Sequence, residues 1–304
     1  MTIASQAIPS RAPLGLGEKL GAFARDIKLS HTVFAMPFAL LSAFLAARGM
    51  PHWVQLGLIV LCMVTARTVA MSANRVLDAE LDARNPRTAR RAIPAGLLSR
   101  GVVVAIALVC AAVFIASTAL FGVFYRNWLP LILSVPVLAY LAAYPLMKRF
   151  TRLCHYYLGA ALGLAPVCAW IAIRGNVQLE PVLMCLAVLA WTAGFDIIYA
   201  CQDYHSDRET GVVSVPAKLG IAKALWISRL THAFSLAMFI ALGVVSPELS
   251  VLYFIGVGCA GALLVIEHAL VRPTDLSRVG LAFFTINGVI SLLLGTLGIL
   301  DVFW

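Results

Sequence analysis

Charge is what this sequence has least of. Only 12% of its 304 residues are Asp, Glu, Lys or Arg, against 62% hydrophobic, where a soluble domain carries about a quarter charged residues. That shortage excludes a water-soluble globule and makes lipid the solvent for most of the chain. Cysteine chemistry is equally thin. Cys62, Cys110, Cys154, Cys168, Cys185, Cys201 and Cys259 form no CxxC pair and mostly sit inside apolar runs, as small packing residues do. No phosphate-binding glycine loop, dinucleotide fingerprint or nucleophile elbow occurs. The first 29 residues lack an apolar h-region and carry Arg11, Lys19, Arg25 and Lys28. They read as a cytoplasmic tail with an amphipathic segment rather than a cleaved signal, leaving 30–304 as one membrane domain.

What is abundant is long apolar runs. Nine candidate spans fall at 31–48, 53–80, 101–122, 127–146, 155–173, 180–204, 224–245, 249–271 and 280–300, each near or above the ~20 residues that cross a bilayer. The odd-numbered connections hold only Arg48, Arg126 and Arg174, and Arg67 and Arg75 lie inside the second span. The rest of the 23 Lys and Arg fall in the tail or at the even-numbered connections. This bias puts the N-terminus and the long loops in the cytoplasm, and predicts a multi-pass protein of the cell's inner (cytoplasmic) membrane. It also accounts for the net charge of +9, so no nucleic-acid partner is needed. Glycines in the last spans, such as Gly256, Gly295 and Gly298, permit close helix packing without naming a partner chain.

The scarce acids are concentrated. Asn74, Asp78 and Asp82 are spaced i, i+4, i+8 at the end of the second span, which puts them on one stripe of a helix. Arg67 shares that stripe, seven residues earlier. Asp196, Tyr199, Asp203 and Asp207 make a second stripe at the end of the sixth span. A charged side chain near the bilayer centre costs on the order of 3 kcal/mol, so both stripes must face a wet internal cavity. Clustered carboxylates repel one another until a cation joins them. Hard oxygen donors of this kind suit Mg²⁺, which takes one or two carboxylates, waters and phosphate oxygens. Each segment runs apolar helix, acidic stripe, Arg-containing turn, then a proline (Pro94, Pro216), the arrangement of two related halves meeting at one site.

These residues carry a resemblance. Asn74-x3-Asp78-x3-Asp82 followed by Asn85-Pro86-Arg87-Thr88 is similar to the first signature of the UbiA superfamily of intramembrane prenyltransferases. Asp196-x2-Tyr199-x3-Asp203-x3-Asp207 followed by Gly211 and Ser214-Val215-Pro216 resembles the second. The stretch Ser30-His31-Thr32-Val33-Phe34-Ala35-Met36-Pro37-Phe38 and the string Tyr144-Pro145-x2-Lys148-Arg149 are similar as well. The likeness covers nearly the whole chain. It implies an all-α membrane fold, nine helices around a central cavity, with the two acidic motifs at the cytoplasmic ends of helices 2 and 6.

The resemblance further implies Mg²⁺-dependent transfer of a polyprenyl chain from polyprenyl diphosphate to an aromatic ring. Asn74, Asp78 and Asp82 would hold one ion, and Asp203 and Asp207 another, to neutralise the departing diphosphate. Lys148, Arg152, Arg87 and Arg91 are candidates to clamp its oxygens, although positive-inside topology marking also explains basic residues there. Tyr199 offers an aromatic face to the allylic cation. Asp196, one turn deeper, is a candidate base or orienting group, with metal-bound carboxylates or released diphosphate as rivals. The motifs are most similar to those of bacterial quinone-pathway members acting on 4-hydroxybenzoate or a hydroxylated naphthoate. Arg67 is the candidate to bind such an acid's carboxylate.

Other readings make different predictions. A secondary transporter places its carboxylates near the bilayer midplane on broken helices, whereas these cluster at helix ends. A CDP-alcohol phosphotransferase carries a DG-x2-AR string that is absent. Haem, chlorophyll and ether-lipid prenylation rank lower on motif similarity. His52 and His155 at membrane edges, and His232 and His268 singly in apolar runs, read as packing or interfacial residues. His205 points off its stripe. The loop from Arg208 to Lys223, with Gly211 and Pro216, is expected to fold over the cavity as a lid.

Overall fold

The computed structural model describes residues 15–27 and 34–304. Among them, eight helices are long and apolar enough to cross a membrane. A short amphipathic helix α1 (Leu16–Asp26) precedes α2 (Met36–Ala47), which is apolar but twelve residues long. Then follow α3 (Trp53–Leu77), the short α4 (Ala79–Arg84), α5 (Arg100–Tyr125) and α6 (Leu129–Ala143). After these come α7 (Cys154–Arg174), α8 (Leu179–Ala200), the short α9 (Tyr204–Thr210) and α10 (Val215–Leu219), and α11 (Ile221–Val245). The last two long helices are α12 (Val251–Leu270) and α13 (Val279–Asp301). Eight of the nine expected spans match within a few residues. The ninth, the first in the chain, corresponds to α2, and its residues 31–33 lie outside the described residues.

The pattern of burial is that of a bundle in lipid. Leu108, Val109, Ile132, Val244 and Val265 are all more than 60% exposed, which is what hydrocarbon as the outer solvent allows. The inner faces interlock through Phe38, Leu41, Met184, Trp191, Leu242 and Tyr253. Small residues let two helices close on each other. A Cβ on Gly159 of α7 would come 2.3 Å from the Leu189 carbonyl oxygen of α8, and one on Gly163 would come 2.7 Å from that of Cys185. Backbones this close fix the register of α7 against α8, with consequences for the site at their common end. All seven cysteines are free thiols.

The acidic stripes depart from the continuous helices that their spacing predicts. Helix α3 stops at Leu77, and Asp78 sits at φ −94°, ψ 1° before α4 begins. Helix α8 stops at Ala200, a single 3₁₀ turn spans Cys201–Asp203, and Asp203 sits at φ −95°, ψ 7° before α9 begins. Both hinges occupy the bridge region of backbone space, where many active-site residues lie. Two motifs 125 positions apart thus bend the chain at equivalent aspartates.

Candidate active site

The two bent ends come together through the segment after α4. Asn85 Nδ2 donates to Asp203 Oδ1 at 2.8 Å. Arg87 grips the same carboxylate with Nε and Nη2 at 2.9 and 2.6 Å, a two-pronged contact that only a guanidinium fork makes. Its Nη1 donates to the Tyr199 hydroxyl at 3.0 Å. Burial works against the Arg87 charge, but the bonds to Asp203 outweigh it and hold the group above its ordinary value.

The first motif is more deeply set. Asn74 Nδ2 donates to Asp78 Oδ2 at 2.9 Å, and Lys148 Nζ reaches the same oxygen at 2.5 Å. Asp78 is fully buried, and burial pushes its carboxyl up from the usual range while Lys148 pulls it down. Asp82 accepts from Arg91 Nη1 on both oxygens, each at 2.8 Å. Asp207 accepts from the Ser214 hydroxyl at 2.7 Å. Arg152 is exposed and forms no ion pair with these carboxylates.

Two further residues brace this motif without any signal in the acidic spacing. Asp26, at the end of α1, receives Arg75 Nε at 2.9 Å and the Ala92 amide at 2.9 Å. Arg75 in turn donates to Asn74 Oδ1 at 2.8 Å. Phe23 and Ile27 anchor this helix end by packing with Ala92, Leu98 and Val103.

Below the acids lies an apolar cavity of about 170 Å³ between α3, α5, α6 and α7. Cys62, Ala66, Phe114, Val137 and Ala165 line it, and Arg67 and Tyr144 stand on its wall. Tyr144 sits within electrostatic reach of Arg67, Arg75, Asp78 and Asp196. An aromatic wall stands under the second motif. The Tyr199 ring lies 4.2 Å from Phe283, which packs edge-on to Phe195 at 5.1 Å. Phe283 comes from the last helix and is found only once the fold is closed.

Two readings of histidine are corrected. His155 is no interfacial packing residue. It is 3% exposed, with Nδ1 2.7 Å from Asp196 Oδ2, because the tight α7–α8 contact brings their common end together. His232 and His268 do not stand singly, since His232 Nδ1 lies 3.0 Å from His268 Nε2. The segment after the second motif is seated rather than free. Val213 N–H donates to the Lys148 carbonyl at 2.7 Å, and Val215 and Pro216 are buried.

Whether the acids suit a metal is answered by their chemistry. The donors are carboxylate oxygens and one amide, a hard set appropriate to Mg²⁺. Asp78 Oδ1 is buried without a hydrogen-bond partner, with the Arg149 guanidinium 3.8 Å away, so its lone pairs are faced by a cation but not bonded to one. Among the described residues, no three His, Cys, Asp or Glu side chains already stand together as a ligand set. Each acid is drawn instead to a basic or hydroxyl partner, so an ion would enter by exchanging those partners.

A family model described as the UbiA prenyltransferase family matches residues 35–289. The chain belongs to this family. It is a prenyltransferase of the multi-pass membrane type. It is 31% identical over 233 residues to a 4-hydroxybenzoate octaprenyltransferase of Chromohalobacter salexigens, covering 76% of each chain. It is 30% identical to the enzyme of that name from Vibrio atlanticus, covering 86% of this chain and 89% of that one. Among solved structures, the apo UbiA homolog of Aeropyrum pernix K1 superposes with a TM-score of 0.80 at 32% identity, over 90% of this prenyltransferase and 98% of that chain. A UbiA homolog of Archaeoglobus fulgidus bound to DMAPP and Mg²⁺ shares the fold, with a TM-score of 0.69 at 17% identity, covering 92% and 99%.

Proposed function

We propose that this prenyltransferase moves a polyprenyl group from polyprenyl diphosphate to a hydroxylated aromatic carboxylic acid of the 4-hydroxybenzoate or dihydroxynaphthoate type, in respiratory quinone biosynthesis. The observation that carries the reading is the convergence of the two acidic motifs, bridged by Arg87 and Asn85 to Asp203, above an apolar cavity. Relatives named 4-hydroxybenzoate octaprenyltransferase support the acceptor class.

Asn74, Asp78 and Asp82, with Asp203 and Asp207, would hold Mg²⁺, which when bound supplies the positive charge that makes diphosphate a competent leaving group. The chain's own cations share that work. Lys148, Arg87 and Arg91, now paired with the acids, are released toward phosphate oxygens as the substrate enters. Arg152, an exposed basic residue, is a further contact for the same anion. The bond between the allylic carbon and the bridging oxygen breaks, and diphosphate departs with the electron pair. The faces of Tyr199 and Phe283 meet the allylic cation. The apolar cavity takes hydrocarbon and excludes water from that cation. Arg67 on the cavity wall binds the acceptor's carboxylate, and the ring carbon beside the hydroxyl attacks. Asp196 accepts the proton released. The acidic ends face the cytoplasm of the inner membrane, as the arginine and lysine bias supports.

The test uses purified protein in lipid with Mg²⁺, radiolabelled polyprenyl diphosphate and a panel of phenolic and naphthoic acids. Label moves to a carboxylated phenol or naphthol, and moves about 10³-fold more slowly in Asp78→Ala and in Asp203→Ala. Transfer to no aromatic acid, or full activity in both variants, would sink the reading.

A further inference from the structure

His155 opens α7 and touches two parts of the site at once. Its Nδ1 lies 2.7 Å from Asp196 Oδ2. Its Nε2 accepts a hydrogen bond from the Val215 backbone N–H at 3.2 Å. A ring nitrogen that accepts carries no proton, so the two contacts together fix the tautomer, with Nδ1–H donating to Asp196. Among the described residues, Asp196 is then held through one oxygen only. Its Oδ1 makes no hydrogen bond among the described residues, and the side chain is 23% exposed. That oxygen is the atom left to receive a proton.

The other nitrogen reaches the turn that seats the outermost acid. Ser214, next to Val215, donates to Asp207 at 2.7 Å. Val213 N–H is bonded to the Lys148 carbonyl, and the Cys154 thiol lies 3.6 Å from the Val213 carbonyl. The imidazole is held in place by the close α7–α8 packing at Gly159, one turn further along. The two bonds satisfy both nitrogens of a ring that is buried, as burial requires.

From this geometry we propose that His155 is a positioning residue, which aims Asp196 at the acceptor ring and ties that aim to the seated turn at 213–215. The proposal rests on the reading of Asp196 as proton acceptor. An unbraced carboxylate samples several rotamers, and proton transfer in the transition state requires one of them.

The test compares His155→Phe, His155→Gln and Asp196→Asn in the full chain in lipid. Glutamine keeps a donor for Asp196 and an acceptor for Val215, while phenylalanine keeps neither. H155F lowers kcat for prenyl transfer about 10²-fold, the usual scale for a lost acid–base contribution, with KM for polyprenyl diphosphate unchanged. H155Q recovers most of that loss. D196N loses as much as H155F, and the double variant H155F/D196N loses no more than D196N, because the two act as one unit. Hydrogen exchange at the Val215 amide quickens in H155F and not in H155Q.

Losses that add in the double variant, or a raised KM for polyprenyl diphosphate with kcat intact, overturn the proposal. So does H155Q as impaired as H155F, and H155Q alone carries the test should H155F not fold. A dead D196N beside a fully active H155F overturns the positioning role and leaves the reading of Asp196 standing. A fully active D196N overturns both. Should the wild type transfer to no acceptor, the proposed function falls, and exchange at Val215 that is the same in wild type and H155F overturns the tie as well.

Discussion

The two acidic motifs bend the backbone in the same way and are neutralised in different ways. Asp78 and Asp203 share almost the same φ and ψ, and each is followed four residues on by a second aspartate. The first motif is buried and braced from outside its own stretch. Lys148 meets Asp78, Arg91 meets Asp82, and Asp26 holds Arg75 beside Asn74. The second borrows its cation. Arg87, which pairs with Asp203, belongs to the loop that follows the first motif, and among the described residues the Asp207 side chain is hydrogen-bonded by the Ser214 hydroxyl alone. The first motif is therefore a fixed platform, and the second completes itself against it.

Removing a hinge aspartate has the largest expected effect. Asp78→Ala and Asp203→Ala each lower kcat/KM about 10³-fold, the scale of a lost electrostatic contact to a developing anion. The comparison breaks if the two variants differ by more than about tenfold in radiolabel transfer. The next effect is on stability and belongs to the platform alone. Asp26→Ala leaves the Arg75 guanidinium buried without its carboxylate and destabilises the fold by about 3 kcal/mol, as breaking a buried pair does. Thermal unfolding in detergent measures it. The double variant Asp26→Ala/Arg75→Ala recovers part of the loss, and equal losses in both would remove Asp26 from the platform.

Much of this was legible in the residues. Apolar run length located eight helices long enough to span, and the spacing of five aspartates picked out the two segments that the fold brings together, because charge in lipid is too costly to be scattered. What was not legible depends on closure. The bends at Asp78 and Asp203 leave the i, i+4 spacing intact, so periodicity reads them as straight helix. Asp26 and Arg75 stand 49 positions apart, and Phe283 stands 84 beyond Tyr199. No local pattern connects such pairs. His155 was misread for the same reason: a single histidine at a span end looks interfacial until Gly159 lets α8 bring Asp196 against it.

The dependence of the second motif on the first is tested at Arg87. Arg87→Ala lowers kcat/KM about 10²-fold, and Arg87→Lys recovers little, because a point charge cannot reproduce the fork that binds Asp203 through two nitrogens. Arg91→Ala, which loses the pair with Asp82, costs about tenfold, since Lys148 still serves the first motif. An Arg91 loss as large as that of Arg87 would mean that both motifs are neutralised alike, and the contrast between platform and completing half would go.

The smallest effect separates the acid from its seat. Ser214→Ala removes the Ser214 hydrogen bond to the Asp207 side chain, a contact to a charged group worth about 1.5 kcal/mol, or roughly tenfold. The same hydroxyl caps α10 through the Ala217 amide at 3.3 Å, so the alanine variant also loosens that helix. Ser214→Thr keeps both bonds and separates the causes. If Asp207 depends on the hydroxyl alone, threonine restores transfer and alanine does not. If α10 is what matters, Ser214→Gly, which caps a helix nearly as well without a side chain, does as well as threonine. The second motif then leans on the turn rather than on a bond to its acid.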